Sequence, residues 1–523
     1  MGSADISRRT AYLWLAAAVA AGALLRWWTI GQEALWADEA LSAIIAHYSA
    51  TALWLEPIDP TGPVYYLVHA AMVPVGATET IARLPSLLAG LVTIVATYGL
   101  GRTLSSRFVG TLAATLVAVS APMIEYSQEA RGYAVLVALI TTSAWMLASL
   151  FQPHRTRVRY ALAAGYLMAT IAAASTHLVG FLWAASSVAG VILAVRRHDN
   201  HLSRREAVAI ILIGAVLMVP EFRRLSLFAF GNNNFTWLAP ASLADLGRLI
   251  AWQWLPFAHR NMAIAAVAAV LVAIIALYAG RRPAAAWASE RRLQIGVPTL
   301  LIGQPLLVWL VGVLVTPILM YRTIIPAVPA AAIVIAMVIS WQTGTKRLAF
   351  AAVAVSLWLM SAVDQGLVQP KAPWGQAARR AAQAQVALVC PSWQSAAFLA
   401  RGSNRNTLAW LNGQPRVATL DSDPPGLGWE QAYFDRIHAS KMSESDPGLP
   451  VPTDLRSVAI VLAGCSAEER AQIGEWLKSQ SLRPDGATTF RPEGRTSIEL
   501  ENGETTIRVE RWISSPPPQA PPA

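Results

Sequence analysis

The sequence predicts an all-α polytopic membrane domain of about eleven transmembrane helices, followed by a C-terminal α/β domain outside the membrane. Three observations carry this reading. Of the 523 residues 55% are hydrophobic, and the mean hydropathy is +0.43. Apolar runs recur at lengths near the roughly 20 residues that cross a bilayer. After about residue 364 the long runs stop, and shorter polar and alternating patterns replace them. No soluble class fits. The formal charge of +10 would suggest nucleic acid in a soluble chain, but here it reads as topology signals in cytoplasmic loops.

The first apolar run, residues 12–30, is too long for a signal-peptide core. No small-residue cleavage site follows directly, so it is expected to stay as an anchor. Basic residues cluster at Arg8-Arg9, Arg102 with Arg107, Arg155 with Arg157 and Arg159, Arg196-Arg197 with Arg204-Arg205, Arg281-Arg282 with Arg291-Arg292, and Lys346-Arg347. If all of these face the cytoplasm, each successive pair encloses an even number of spans. The runs 83–101, 108–123, 132–151, 160–175, 178–195, 206–220, 261–280, 295–317, 324–342 and 348–363 meet that condition. The N-terminus is then inside and the C-terminus outside a plasma (inner) membrane.

"GPVYYLVHAAMVPVG" (62–76) is short for a span and would break the parity, so it is expected to lie flat on the outer face. The outer loop 31–80 then carries "LWADEAL", with Asp38 and Glu39, and a second long outer loop covers 221–260. Most acids before the C-terminal part fall on this face, Glu56, Asp59, Glu125 and Glu129 among them. The expected domains are 1–365 in the membrane, 366–512 as the α/β part, and a disordered proline-rich tail, 513–523. "VALVC" (386–390) and "VAIVLAGC" (458–465) read as buried strands. "SAEERAQIGEWLKSQ" (466–480) reads as a helix capped by Ser466 with Glu469 three residues on. "SIELENGETTIRVERW" (497–512) reads as a hairpin around Asn502-Gly503. Cys390 and Cys465 can pair if this part is extracytoplasmic. There is no glycine-rich phosphate loop and no internal repeat.

The acids and arginines on the outer face carry the chemistry. Asp38 is expected to cap a helix, with Glu39 favourable in its first turn. A capped start holds a carboxylate rigidly, as a base requires. In "EYSQEARGY" Arg131 stands beside an apolar span, where a cation costs about 2.5–3.5 kcal/mol at the helix centre and less near the rim. Arg322 in "MYR" repeats the pattern, and guanidinium forks suit phosphate. His177 reads as a rim histidine bonded to backbone. A divalent metal is not expected, because no helical ligand spacing supports one. A carboxylate pair and isolated arginines on one face suit transfer from a lipid-phosphate donor.

"LWADEALS", "PTGPVYYLVHA", "ETIARLPSLLAGLVTIVATYGLGRTL", "APMIEYSQEARGYAVLVAL" and "PILMYRTIIPAVP", in that order, resemble the GT-C superfamily of polyprenyl-phosphate-sugar glycosyltransferases. The nearest branch is similar to bacterial relatives of protein O-mannosyltransferases and the lipid A aminoarabinose transferase. The resemblance covers roughly residues 10–365. It implies a catalytic acid at Asp38 with Glu39 beside it. It implies a donor-phosphate set of Glu129, Arg131, Tyr133, Tyr321 and Arg322, joined by Tyr65 and Arg83. The family usually has His or Lys before the proline of the "PPLYY"-like segment, where this chain has Thr61-Gly62. Either a donor-phosphate contact is missing here, or another arginine, such as Arg83 or Arg223, supplies it. The implied reaction is inverting transfer from a polyprenyl-phosphate sugar to a lipid, glycan or protein, with no nucleic-acid partner. The alternative is a transporter or lipid-linked-sugar flippase, which calls for ionisable groups at mid-membrane in related halves.

Overall fold

A computed structural model describes residues 5–32, 35–46, 50–55, 61–75, 78–195, 202–231, 240–257, 301, 303–365, 367, 374–390, 407–411, 414–418, 455–463, 465–490 and 507–514. In chain order the helices are α1 (Arg8–Trp27), α2 (Ala37–Ile45), α3 (Ala50–Leu55), α4 (Pro63–Ala70), α5 (Glu79–Leu104), α6 (Arg107–Val119), α7 (Ala121–Ser127), α8 (Tyr133–Leu150), α9 (Thr156–Ala174) and α10 (Val179–Val195). They continue with α11 (Arg204–Leu217), α12 (Val219–Gly231), α13 (Leu243–Trp254), α14 (Gln304–Leu314), α15 (Tyr321–Ile324), α16 (Val328–Ser340), α17 (Gly344–Asp364), α18 (Trp374–Ala381) and α19 (Ala467–Ser479). The strands are β1 (Val386–Cys390), β2 (Thr407–Leu411), β3 (Gln414–Ala418), β4 (Ser457–Leu462), β5 (Leu482–Phe490) and β6 (Ile507–Ser514). Contacts divide the chain into two units. One holds Met1–Ile30 with Ser49–Val368, the other Gly31–Tyr48 with Gln369–Ala523.

The first unit is helical. Among its described residues, α1, α5, α8, the stretch Tyr321–Ser340 and α17 are long and apolar enough to cross a membrane. Helices α6 and α7, bent by 61° at their junction, add a sixth if taken together. The bend has a local cause. Ser120 is extended, and Pro122 opens α7, where a missing N–H costs nothing. The last carbonyls of α6 would be orphaned there. Arg26 of α1 serves them, donating from Nη1 to Ala118 O (2.9 Å) and from Nη2 to Val117 O (3.3 Å). Its Nε donates to Ser127 Oγ (3.0 Å), which ties α7 to the same side chain.

The stretch expected to lie flat forms α4 and a short 3-10 turn, Val73–Val75. An eight-residue helix reaches only about 12 Å, well short of a bilayer core. Within the expected outer loop 221–260 the described residues form most of α12 and all of α13, the latter started by a capping box of Ser242 and Asp245. The expected run 261–280 and the whole cluster Arg281-Arg282 with Arg291-Arg292 lie outside the described residues, as do Glu56 and Asp59.

The second unit is a six-stranded mixed sheet in the order β3-β2-β1-β4-β6-β5. β1 runs parallel to β2 and β4, and the other pairs are antiparallel. β1 is buried along its whole length, which explains its unbroken apolar run. Its alternate residues feed two cores. Ala387 and Val389 pack with Trp374, Ala377 and Ala381 of α18, while Val386, Leu388 and Cys390 pack with Ile473 and Leu477 of α19. Trp36 packs against the first of these cores, which accounts for Gly31–Tyr48 belonging to this unit. Ser466 and Glu469 form the expected capping box. Cys390 and Cys465 are joined as a disulfide, with Cα atoms 5.3 Å apart. β6 pairs with β4 on one side and β5 on the other. The expected turn at Asn502-Gly503 lies outside the described residues, as does the tail from residue 515.

Candidate active site

The turn between α7 and α8 is the centre of the site in the first unit. Gln128 pins it to the end of α1, donating from Nε2 to Leu25 O (3.2 Å), Arg26 O (3.0 Å) and Thr29 Oγ1 (3.1 Å). Ser86 of α5 donates to the carbonyl of Arg131 (3.1 Å), and the amide of Arg131 donates to Glu129 O (2.8 Å). Both Glu129 and Arg131 are buried. Arg131 therefore stands in a tight turn before α8.

Tyr133, two residues on, gathers the other groups. The guanidinium carbon of Arg131 lies 6.0 Å from its ring centre, and that of Arg322 lies 5.7 Å away. The Tyr126 ring meets Tyr133 edge-on at 5.4 Å and leads to Tyr321 at 6.1 Å. The fold thus brings Arg131, Tyr133, Tyr321 and Arg322 together from two distant parts of the chain. Tyr65 is fully buried and reaches the same turn: its Cβ would be 3.4 Å from a side chain placed on Gly132. Its hydroxyl lies 3.3 Å from His69 Nδ1. Arg83 is placed differently. It is buried and donates to Ile30 O (2.7 Å) at the end of the α1 segment.

The Thr61-Gly62 segment runs along the connection between α9 and α10. Thr61 bridges His177, and the Gly62 amide donates to Thr176 O (2.7 Å). Gly62 is required for this approach. A Cβ there would lie 2.1 Å from Ser175 O and 3.1 Å from Arg224 Cζ. Arg224 of α12 donates to Glu221 (2.8 Å) and to Ala174 O (2.7 Å), and both partners in this ion pair are buried. Glu221 also accepts from Ser175 Oγ (2.7 Å) and Trp54 Nε1 (3.1 Å). Arg223, which the sequence offered beside Arg83, is exposed on α12. Sequence reasoning also missed the part played by His177, whose ring lies 5.4 Å from Tyr133. Burial, then the charges of Arg131, Arg322 and Arg224, lower its pKa to about 3.

Asp38 and Glu39 belong to the second unit. Helix α2 begins at Ala37, so Asp38 is not the cap but sits in the first turn with Glu39. Glu39 is buried, and its Oε2 accepts from the Trp36 amide (3.3 Å). This is the back-reaching half of a capping box, in which a third-position carboxylate serves an orphaned N–H. The Asp38 carbonyl accepts from Ser42 Oγ (3.0 Å). Elsewhere in this unit Cys390, Cys465 and Glu469 come within 4.8 Å, but the disulfide consumes both sulfurs.

Residues 59–222, which include most of the cluster around Tyr133, match the family of dolichyl-phosphate-mannose-protein mannosyltransferases. No curated protein matches the sequence. Among solved structures, ArnT from Cupriavidus metallidurans in the apo state superposes with a TM-score of 0.58 at 14% identity, over 96% of this chain and 98% of that one. The same protein bound to undecaprenyl phosphate gives 0.53 at 14% identity, over 95% and 98%. The oligosaccharyltransferase of Archaeoglobus fulgidus gives 0.52 at 12% identity, over 92% of this chain and 72% of that one. The chain therefore shares the fold of these membrane enzymes, and its residues 59–222 resemble the mannosyltransferase family.

Proposed function

We propose that the chain transfers a sugar, with inversion, from a polyprenyl-phosphate donor to a lipid, glycan or protein acceptor outside the cytoplasm. The observation that carries this reading is the pair of guanidinium groups, Arg131 and Arg322, held over the single ring of Tyr133. Planar forks match phosphate oxygens bidentately, and a ring face beneath a cation fixes its direction. A relative of the same fold has been solved with undecaprenyl phosphate, which supports a lipid phosphate as the anion.

The reaction is a single displacement. The Asp38 carboxylate takes the proton of the acceptor hydroxyl, and the acceptor oxygen bonds to the anomeric carbon. The bond from that carbon to the phosphate oxygen breaks, and polyprenyl phosphate leaves with the electron pair. Arg131 and Arg322 meet the negative charge that develops on the leaving phosphate. Glu129, Tyr65, Tyr321 and Arg83 complete the donor set. The role of Asp38 rests on its sequence motif, and Glu39 braces the helix start that carries it. The topology is eleven spans in the inner membrane, N-terminus inside, with the second unit an extracytoplasmic α/β domain. Purified protein in liposomes, supplied with polyprenyl-phosphate sugars and envelope acceptors, tests the reading by mass spectrometry. Sugar appears on an acceptor if the proposal holds. Movement of the lipid-linked sugar between leaflets without transfer would favour the flippase.

A further inference from the structure

His177, in the connection between α9 and α10, and Arg224 of α12 beside it are hydrogen-bond donors that the proposed reaction has not used. The Val179 amide donates to His177 Nδ1 (3.2 Å). That nitrogen must then present its lone pair, so the imidazole proton sits on Nε2. Surrounded by Arg131, Arg322 and Arg224, the ring stays neutral at any physiological pH. The His177 side chain is 4% exposed, and Nδ1 is the ring atom engaged by the Val179 amide. Arg224 is buried too. Its Nε and Nη2 are engaged with Glu221 and Ala174, but Nη1 is buried without an acceptor. Leaving that buried donor unmet is unfavourable unless something else brings the acceptor.

The two donors flank one piece of backbone. Thr61 bridges His177, while Gly62 lies so close to Arg224 that any side chain there would press on the guanidinium. The His177 ring in turn packs on Tyr133, the ring that carries Arg131 and Arg322. We infer that His177 Nε2–H and Arg224 Nη1 are further donors of the phosphate site, binding oxygens of the polyprenyl phosphodiester that Arg131 and Arg322 also hold. The inference rests on the proposed reading of that site and adds its second flank. A neutral donor suits this position, because another cation would repel the three guanidinium groups already there. When the sugar leaves, the phosphate passes from one negative charge to two. Both contacts strengthen at that moment and so favour departure of the lipid phosphate.

The test is a titration of undecaprenyl phosphate into the full-length protein in nanodiscs. His177→Phe removes the N–H and keeps a ring for Tyr133; His177→Gln keeps an N–H donor. Arg224→Lys keeps a charge for Glu221 and loses the fork. The expected result is binding about tenfold weaker for His177→Phe and for Arg224→Lys, and within about threefold of wild type for His177→Gln. A measurement without substitution at the site's other residues uses ¹⁵N-histidine-labelled wild-type protein. The His177 Nε2–H resonance, identified by its loss in His177→Gln, is expected to shift when the lipid phosphate is added. Wild-type affinity in His177→Phe or Arg224→Lys overturns that residue's assignment, and so does an unmoved resonance for His177. Arg131→Ala, run alongside, separates the two claims. If it loses binding while His177→Phe does not, the inference fails and the wider reading stands. If it binds normally, the wider reading fails and takes the inference with it.

Discussion

His177 gives the site a pH signature. Its folded pKa is lowered to about 3, whereas an unfolded histidine titrates near 6.5. Protonation therefore favours the unfolded chain. The stabilisation is fully present above about pH 6.5 and is lost as pH falls towards about 3, on the order of 5 kcal/mol in total. The difference in denaturation midpoint between wild type and His177→Gln should shrink as pH is lowered through that window. A constant difference would mean the ring is not held neutral. Asp38→Asn belongs to the same scale. It keeps the size of the side chain in the first turn of α2 and removes the base. Transfer to a hydroxyl acceptor should fall by about 10²–10⁴-fold with expression unchanged, and a wild-type rate would reduce Asp38 to a structural residue. Some of these residues could be read directly. Arg131 and Arg322 stand out because cations are rare beside apolar runs, and Tyr133 was named through the family resemblance. Arg224 did not, since one sequence step separates it from exposed Arg223, and only the Glu221–Arg224 spacing of three marks the buried face. The start of α2 was misjudged by two residues, because Glu39 reaching back to Trp36 does the work assigned to Asp38.

At the scale of elements, Arg26 is the brace that lets a span break at Ser120 and still place the turn 128–132. Arg26→Met should destabilise the protein by about 1–3 kcal/mol for each carbonyl it orphans, and should weaken lipid-phosphate binding without touching the ligand. Thermal unfolding in detergent, read beside the lipid titration, checks both. Unchanged stability would remove the brace from the account. The disulfide closes 75 residues between the end of β1 and the start of α19. Replacing Cys390 and Cys465 by alanine should cost about 4 kcal/mol on the chain-entropy view. A second-unit transition at the wild-type temperature would contradict it. Helix α19 and strands β1 and β4 were legible because a capping box and unbroken apolar runs are local signals. The β6 pairing was not. Asn-Gly announces a turn, but the neighbours of a strand are set by packing, and β6 lies between β4 and β5.

For the whole molecule, parity of the basic clusters predicts which segments face the cytoplasm. Reporter fusions after Arg107, Arg205 and Lys346 should read cytoplasmic, and one near Pro370 should read external. A cytoplasmic signal at Pro370 would remove the outer-face chemistry altogether. Periodicity and charge made the helical membrane unit readable, because each span must satisfy its own backbone. They could not show that Gly31–Tyr48 groups with the C-terminal sheet, since that depends on Trp36 finding a core that forms late in the chain. Nor could they show four separate connections converging on Tyr133. That convergence is the centre of the account, and undecaprenyl-phosphate binding tests it most directly. Wild type, Arg131→Ala, Arg322→Ala and the exposed control Arg223→Ala would be titrated in nanodiscs under one salt condition. The account predicts that Arg131→Ala and Arg322→Ala each lose about 2–5 kcal/mol of binding while Arg223→Ala matches wild type. Equal affinity across all four proteins would contradict it.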